Sequence, residues 1–300
     1  MINPFHYFYL GQWFLRARFF KRTAPLQTVL FITNKCNLRC KHCSVYEEVS
    51  PVKMTFEQVK QELEYSYKLG SRFVDFEGGE PTLWRDGDKT VNDLIDLAKQ
   101  IGFFSCTITT NAQRSFVGSK ADAIWVSMDG VGKFHDAIRG EGAFEKLEQN
   151  IAQAKHKALS VNMVINALNY ESVDDAIEYA KSNPDIKSIS LNFHTPFPGT
   201  EFLELEQAKR EEIVDKIIAY KKKGYPIMNS VSGLKLMKHN NFPKQCWVTN
   251  FILADGMHLS ECPGKTVGVC DKCGFCMAGE MHAVFSFKFD TLLAGMKLRM

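Results

Sequence analysis

The sequence predicts an α/β fold: a partial (β/α)6 barrel preceded by an N-terminal helix and followed by a small cysteine-rich extension. Three observations carry this expectation. From Leu26 onward, short apolar runs give way to amphipathic stretches roughly every thirty residues, the pattern of a parallel sheet covered by helices. Several of the apolar runs alternate with polar residues. Finally, nine cysteines gather towards the two ends of the 300-residue chain instead of scattering along it.

The elements follow in order. Residues 1–24 are aromatic and basic with no acidic residue, and Phe5, Tyr7, Phe8, Tyr9, Trp13, Phe14, Phe19 and Phe20 fall within them. Arg16, Arg18, Lys21 and Arg22 break the apolar run, so neither a signal peptide nor a spanning helix is supported. Two readings of this segment stand: a helix packed across the barrel, or one lying among lipid headgroups, where aromatic and basic residues concentrate. Strands are expected at 27–33, 72–77, 104–110, 123–128, 160–166 and 187–193, with helices at 55–69, 90–101, 143–157, 171–182 and 204–223. The barrel core is assigned to 25–240 and the extension to 241–300.

Strand patterning predicts what fills the barrel. Val74 and Phe76 alternate with Asp75 and Glu77, Val161, Met163 and Ile165 with Asn162, Val164 and Asn166, and Ile189, Leu191 and Phe193 with Ser190, Asn192 and His194. A period of two sends the apolar set outward to the helices and the polar set inward. The lumen is therefore expected to be wet and functional.

Composition narrows the class. A hydrophobic content of 45% and a net charge of +3 describe an ordinary globular chain, too weakly basic for nucleic acid to be the main partner. The absence of a disulfide-like spread of cysteines points to a reducing, cytoplasmic setting, with membrane association through residues 1–24 as an added option.

The stretch TNKCNLRCKHCSV places Cys36, Cys40 and Cys43 at spacings of four and three directly after the first strand. Three thiolates can hold three irons of a four-iron cluster and leave the fourth open to another ligand. A zinc site completed by His42 or a distant cysteine is the alternative. With FEGGEPTLW at the end of the second strand, TITTNA at the third and VSMDG at the fourth, the chain resembles the radical S-adenosylmethionine (SAM) superfamily over residues 27 to about 223. The resemblance implies a partial TIM-like barrel, a catalytic 4Fe-4S cluster on the triad, and SAM chelated by the open iron and cleaved to a 5′-deoxyadenosyl radical. It implies a SAM site made by Gly78, Gly79 and Glu80, with Thr109, Asn111, Ser127, Asp129, Arg139 and Asn166. The two glycines allow close backbone approach, and Arg139 could pair with the SAM carboxylate; a surface ion pair is the other reading of that residue. Glu77, Asn192 and His194 are candidate substrate contacts, although a core histidine satisfied by a neighbour explains His194 equally well. A reductase such as flavodoxin or ferredoxin is the implied electron donor.

Cys246, Cys262, Cys270, Cys273 and Cys276 form a second group, whereas Cys106, inside a strand, reads as a small core residue. The C-x2-C-x2-C run resembles ferredoxin ligand spacing, with zinc as the alternative. The region resembles a shortened SPASM/twitch domain of radical SAM maturases, but five residues separate Gly256 from Cys262 where four are usual. Five cysteines suffice for one auxiliary 4Fe-4S cluster. The order CW, DG, CP and CDKCGFCMAGE is also loosely similar to the tail of adenosylhopene-forming radical SAM enzymes. The substrate expectation is thus a peptide or cofactor precursor, with a lipid or small molecule as the alternative, and a non-catalytic metal-binding module as the reading from another class.

Overall fold

The computed structural model describes residues 4–45, 50–259 and 261–299. The six expected strands are present, each within one residue of its expected bounds: β1 (Gln27–Thr33), β2 (Phe73–Gly78), β5 (Ser105–Thr110), β6 (Ala123–Ser127), β7 (Leu159–Ile165) and β8 (Ser188–Phe193). A small hairpin, β3 (Arg85–Asp86) and β4 (Lys89–Thr90), follows β2. The sheet order is β10-β9-β1-β2-β5-β6-β7-β8. Two of these strands were not expected: β9 (Thr249–Ile252) runs parallel to β1, and β10 (His258–Leu259) returns antiparallel to β9. They are too short to produce a periodic signal, and pairing to a pre-existing edge is what makes them strands.

Eleven helices accompany the sheet in the described residues: α1 (Pro4–Phe20), α2 (Phe56–Leu69), α3 (Val91–Ile101), α4 (Lys133–Arg139), α5 (Ala143–Ala154), α6 (Val173–Ser182), α7 (Gln207–Lys222), α8 (Val231–His239), α9 (Pro263–Thr266), α10 (Cys276–Phe285) and α11 (Phe289–Arg299). Local chemistry sets their ends. Thr55 with Gln58 and Thr90 with Asp93 form capping boxes at α2 and α3, and Gly70 and Gly102 close those helices in the left-handed conformation. The apolar faces of α2, α3, α5 and α6 cover the sheet through Val59, Leu63, Leu94, Ile95, Leu147, Ile151 and Ile177, all fully buried against Leu30, Val74, Ile108, Val161 and Ile189. Each such side chain contributes about 1.5–3 kcal/mol on leaving water.

The other face of the strands is polar, as the alternation requires. The Ser160 and Ser188 hydroxyls bond at 2.9 Å, and Asn192 Nδ2 donates to Asn162 Oδ1 at 2.6 Å. At the amino-terminal end of the barrel α1 forms a floor. Tyr9 donates to the Gly70 carbonyl, Trp13 Nε1 to the Ala24 carbonyl, and Trp13 packs with Val248 and Phe285. The inner side of the aromatic segment is thus core, while Phe5, Phe8, Phe19 and Phe20 on its outer side are exposed.

Candidate active site

The carboxyl ends of the strands meet at one rim. The cysteine loop leaves β1 there and is bound on both sides, Asn34 N–H donating to the Val52 carbonyl and Lys41 N–H to the Ile138 carbonyl at the end of α4. A turn closed by Cys43 N–H to the Cys40 carbonyl brings the last two cysteines together. Backbone N–H groups point at two of the sulfurs, Leu38 at Cys36 Sγ and Val45 at Cys43 Sγ, each at 3.4 Å. Asn111 Nδ2 stands 3.6 Å from Cys36 Sγ, and Arg139 Nη1 stands 3.8 Å from Cys40 Sγ. Burial raises the Cys36 and Cys40 thiols, and against it the Leu38 N–H at Cys36 and Arg139 at Cys40 favour thiolate. Burial pushes the free Cys40 thiol up to about 11, with Arg139 opposing it, a balance that binding to a metal reverses by deprotonating the sulfur.

Gly78 and Gly79 serve this loop directly. A Cβ on Gly78 would lie 2.0 Å from the Thr33 carbonyl oxygen, and one on Gly79 would lie 2.2 Å from that of Lys35. Gly78 also has a φ of +138°, which L side chains rarely adopt. The close approach is to the backbone that enters the cysteine loop: Gly79 N–H donates to the Thr33 carbonyl at 2.7 Å and Glu80 N–H to that of Lys35 at 2.9 Å. These glycines therefore fasten the end of β2 to the base of the cysteine loop, a role the expectation of close ligand approach did not include.

Glu80 is fully buried, and its carboxylate is occupied by the chain itself. It accepts from the N–H and hydroxyl of Thr82, from the Thr110 hydroxyl and from Asn111 N–H. It braces the loop after β5 and so aims Asn111 at Cys36. Asp129, also fully buried, accepts from Arg139 Nε at 2.7 Å and from Val164 N–H at 3.0 Å, with His42 Nε2 at 3.7 Å. Burial opposes its ionisation, but Arg139 and then His42 outweigh burial and hold the carboxyl below its usual range. Arg139 is accordingly a buried ion pair beside Cys40, which neither sequence-based reading of it foresaw. His42, a motif neighbour read only as a zinc ligand, instead faces Asp129.

The remaining candidates fall into two sets. Glu77 and Thr109 face the lumen together, with Thr109 Oγ1 3.2 Å from Glu77 Oε1 and 3.4 Å from Asp75 Oδ1. Burial first, then the neighbouring Asp75, raises Glu77 to about 8. Ser127, partly accessible, ends β6, the strand paired with β5. By contrast, Asn166 folds back on its own turn, donating to the Val164 carbonyl and accepting from Leu168 N–H. His194 is satisfied by Thr200, whose hydroxyl and carbonyl oxygens lie 3.0 and 3.1 Å from Nε2. Asn192 accepts from Cys276 N–H at 2.9 Å.

With this geometry the comparisons agree. The profile described as the Radical SAM superfamily matches residues 30–182, just over half of the chain. The chain belongs to the radical SAM superfamily. Among its relatives are a probable GTP 3′,8-cyclase of Methanocella arvoryzae, 30% identical over 62% of this chain and 64% of that one, and the mycofactocin maturase MftC of Mycolicibacterium smegmatis, 26% identical over 51% and 41%. The chain spans less than two thirds of the length of these relatives. In fold it is similar to Streptococcus suis SuiB bound to S-adenosylmethionine, with a TM-score of 0.66 at 14% identity over 98% of this chain and 74% of that one. It is also similar to anSMEcpe with bound AdoMet and peptide, with a TM-score of 0.61 at 17% identity over 84% and 79%. Membership makes this chain an enzyme of SAM-dependent radical chemistry whose cofactors are a 4Fe-4S cluster and SAM, and radical SAM enzymes need a reductant and a substrate. Among the described residues no helix is long and apolar enough to cross a membrane.

The radical SAM barrel is closed at its β8 side by the second cysteine group. Gly274 inserts against the end of β8, where a Cβ would lie 1.8 Å from the Phe193 carbonyl oxygen, and Phe193 N–H donates to the Gly274 carbonyl. Gly274 N–H is taken by the Thr195 hydroxyl. Burial, and then the nearby thiols of Cys262, Cys273 and Cys270, push Cys246 up to about 11, and burial raises Cys262 with Cys270 adding to it. Cys276 differs: it is 2% exposed and belongs to the main apolar core. Among the described residues no three Cys, His, Asp or Glu side chains could hold a single metal ion. Thiolates on a four-iron cluster bind separate irons and so stand wider than the roughly 3.8 Å of a zinc tetrahedron.

Proposed function

We propose that this enzyme cleaves SAM reductively at the rim and modifies a substrate held in the polar lumen, as in peptide or cofactor maturases, with one auxiliary 4Fe-4S cluster. The observation that carries this reading is the convergence of the cysteine loop, the Asp129–Arg139 pair and Asn111 above a lumen lined by Glu77, Thr109, Asn162 and Asn192. Cluster and SAM, when bound, supply a 5′-deoxyadenosyl radical. The chain's own part is to hold and orient. Cys36, Cys40 and Cys43 ligate the cluster, while Arg139 and Asn111 place positive charge and a donor beside its sulfurs. Gly78, Gly79, Thr109, Ser127 and Asp129 surround SAM, and Glu80 and Asn166 act through the turns they brace. Residues 241–300 serve as the cluster-bearing extension, and flavodoxin or ferredoxin is the electron donor.

For the auxiliary cluster we assign Cys246, Cys262, Cys270 and Cys273, because Cys276 is the one of the five that lies in the main apolar core. Anaerobically purified protein should carry about eight irons per chain. Changing Cys270, Cys273 and Cys276 together to Ala should leave about four, and Cys276→Ala alone should keep about eight. Iron near four in the unaltered protein, unmoved by the triple change, would sink the auxiliary cluster.

A second reading, adenosylation or hydrogen abstraction on a lipid at the membrane surface, is favoured by the outer side of α1. Phe5, at the start of α1, is 81% exposed, and Phe289, two residues after the Phe287 that packs against Phe14, is 72% exposed. Phe8, Phe19 and Phe20 are exposed beside Arg16, Arg18, Lys21 and Arg22. Aromatic and basic side chains together suit an anionic headgroup layer, each charge contributing about 1 kcal/mol. The protein should co-sediment with anionic liposomes and release at high salt, and Phe5→Ser with Phe8→Ser should weaken binding severalfold without unfolding it. Equal recovery with neutral and anionic liposomes, or none with either, would remove this reading.

A further inference from the structure

Arg210 lies on α7 within a run of charged residues, QAKREE, that reads as a solvated helix face. The structure turns it inward. It is 7% exposed, its Nε donates to the Met237 carbonyl at 3.1 Å, its Nη2 donates to the Cys273 carbonyl at 3.0 Å, and its guanidinium lies 4.7 Å from the centroid of the Phe193 ring. No carboxylate pairs with it among the described residues, and the ionisable groups near it are the thiols of Cys276 and Cys273, both pushed up by burial. The other arginine buried among the described residues, Arg139, has a carboxylate. A buried guanidinium answered only by two carbonyls and a ring is expensive to keep. Arg210 and Phe193 thus stand where Gly274 seats the cysteine loop on β8.

We infer that Arg210 is a positioning residue for the auxiliary cluster, placed to compensate its negative charge and to raise its reduction potential. The inference rests on the reading that Cys246, Cys262, Cys270 and Cys273 hold a four-iron cluster. Four thiolates give such a cluster a net charge of about −2, which becomes about −3 when one electron enters. A fixed cation in a water-poor setting stabilises the reduced form more than the oxidised one, so reduction by an external donor becomes easier. The carbonyl hydrogen bonds alone would ask only for a donor of the right reach. The charge is what the cluster adds to that requirement.

The test is a redox titration of the cluster in full-length, anaerobically prepared protein with Cys40→Ala, which removes the catalytic signal. Dithionite reduces the remaining cluster, and electron paramagnetic resonance reads it. Arg210→Lys keeps the charge, and Arg210→Gln keeps a donor without the charge. The expected result is a midpoint near the parent's for Lys and a clear shift to more negative potential for Gln, with iron content unchanged in both. Equal midpoints in the parent, Lys and Gln proteins would overturn the inference. Loss of folding in both variants would overturn it too, by assigning Arg210 to structure alone. Absence of any cluster signal in the parent would instead remove the auxiliary-cluster reading on which the inference stands.

Discussion

Replacing Cys40 by Ala is expected to lower 5′-deoxyadenosine formation from SAM to the no-enzyme background, while iron falls from about eight to about four per chain. Cys40 is buried between Arg139 and the turn to Cys43. On the proposed ligation a triad short of one thiolate loses the cluster through which the electron would reach SAM, and among the described residues the rim has no further cysteine to take its place. Removing one small buried side chain costs stability on the order of 1 kcal/mol, so the barrel and the C-terminal cysteines should remain folded. Iron analysis and product chromatography on the same sample check both halves. SAM cleavage retained at the original rate would place the chemistry elsewhere.

Gly78→Ala should be nearly as damaging, although Gly78 has no side chain with which to hold a ligand. The added methyl would stand 2.0 Å from the Thr33 oxygen in a backbone conformation, φ +138°, that alanine resists. The neighbours are backbone and cannot swing aside. Either β2 parts from the exit of β1, breaking the bond from Gly79 N–H to the Thr33 carbonyl, or the cysteine loop shifts. Overpacking of this kind costs about 1–3 kcal/mol, and a displaced loop should lose catalytic iron. Gly11→Ala is the matched control: it lies in α1 with nothing within 4 Å of its new Cβ, and should be neutral or stabilising by about 0.5–1 kcal/mol. Thermal unfolding and iron content of the two variants, measured side by side, should separate widely. Equal behaviour would mean that the Gly78 contact does not hold the loop.

The parts legible in the sequence are those whose cause is local or periodic. The strands from β1 to β8 in the main sheet announce themselves as short apolar runs, with alternation in β2, β7 and β8, and α2 and α3 through capping boxes at Thr55 and Thr90. The triad is legible because its spacing is itself the ligand geometry. What escaped depends on partners distant in the chain. β9 is a strand because β1 offers an edge. Glu80 is occupied by Thr82, Thr110 and Asn111 because two strand ends converge, and no single segment displays that. Asn166 and His194 carry polar side chains in the inward register, yet each is satisfied by its own loop. Arg210 sits among exposed charges, and the packing of α8 and of residues 273–276 against it turns it into a buried cation.

The most direct measurement is anaerobic reconstitution with iron and sulfide, addition of SAM and dithionite, and mass analysis of the adenosine products. The account predicts 5′-deoxyadenosine and methionine in equal amounts, dependent on dithionite and absent with Cys40→Ala. A protein holding its full iron that forms neither product under reduction would contradict it.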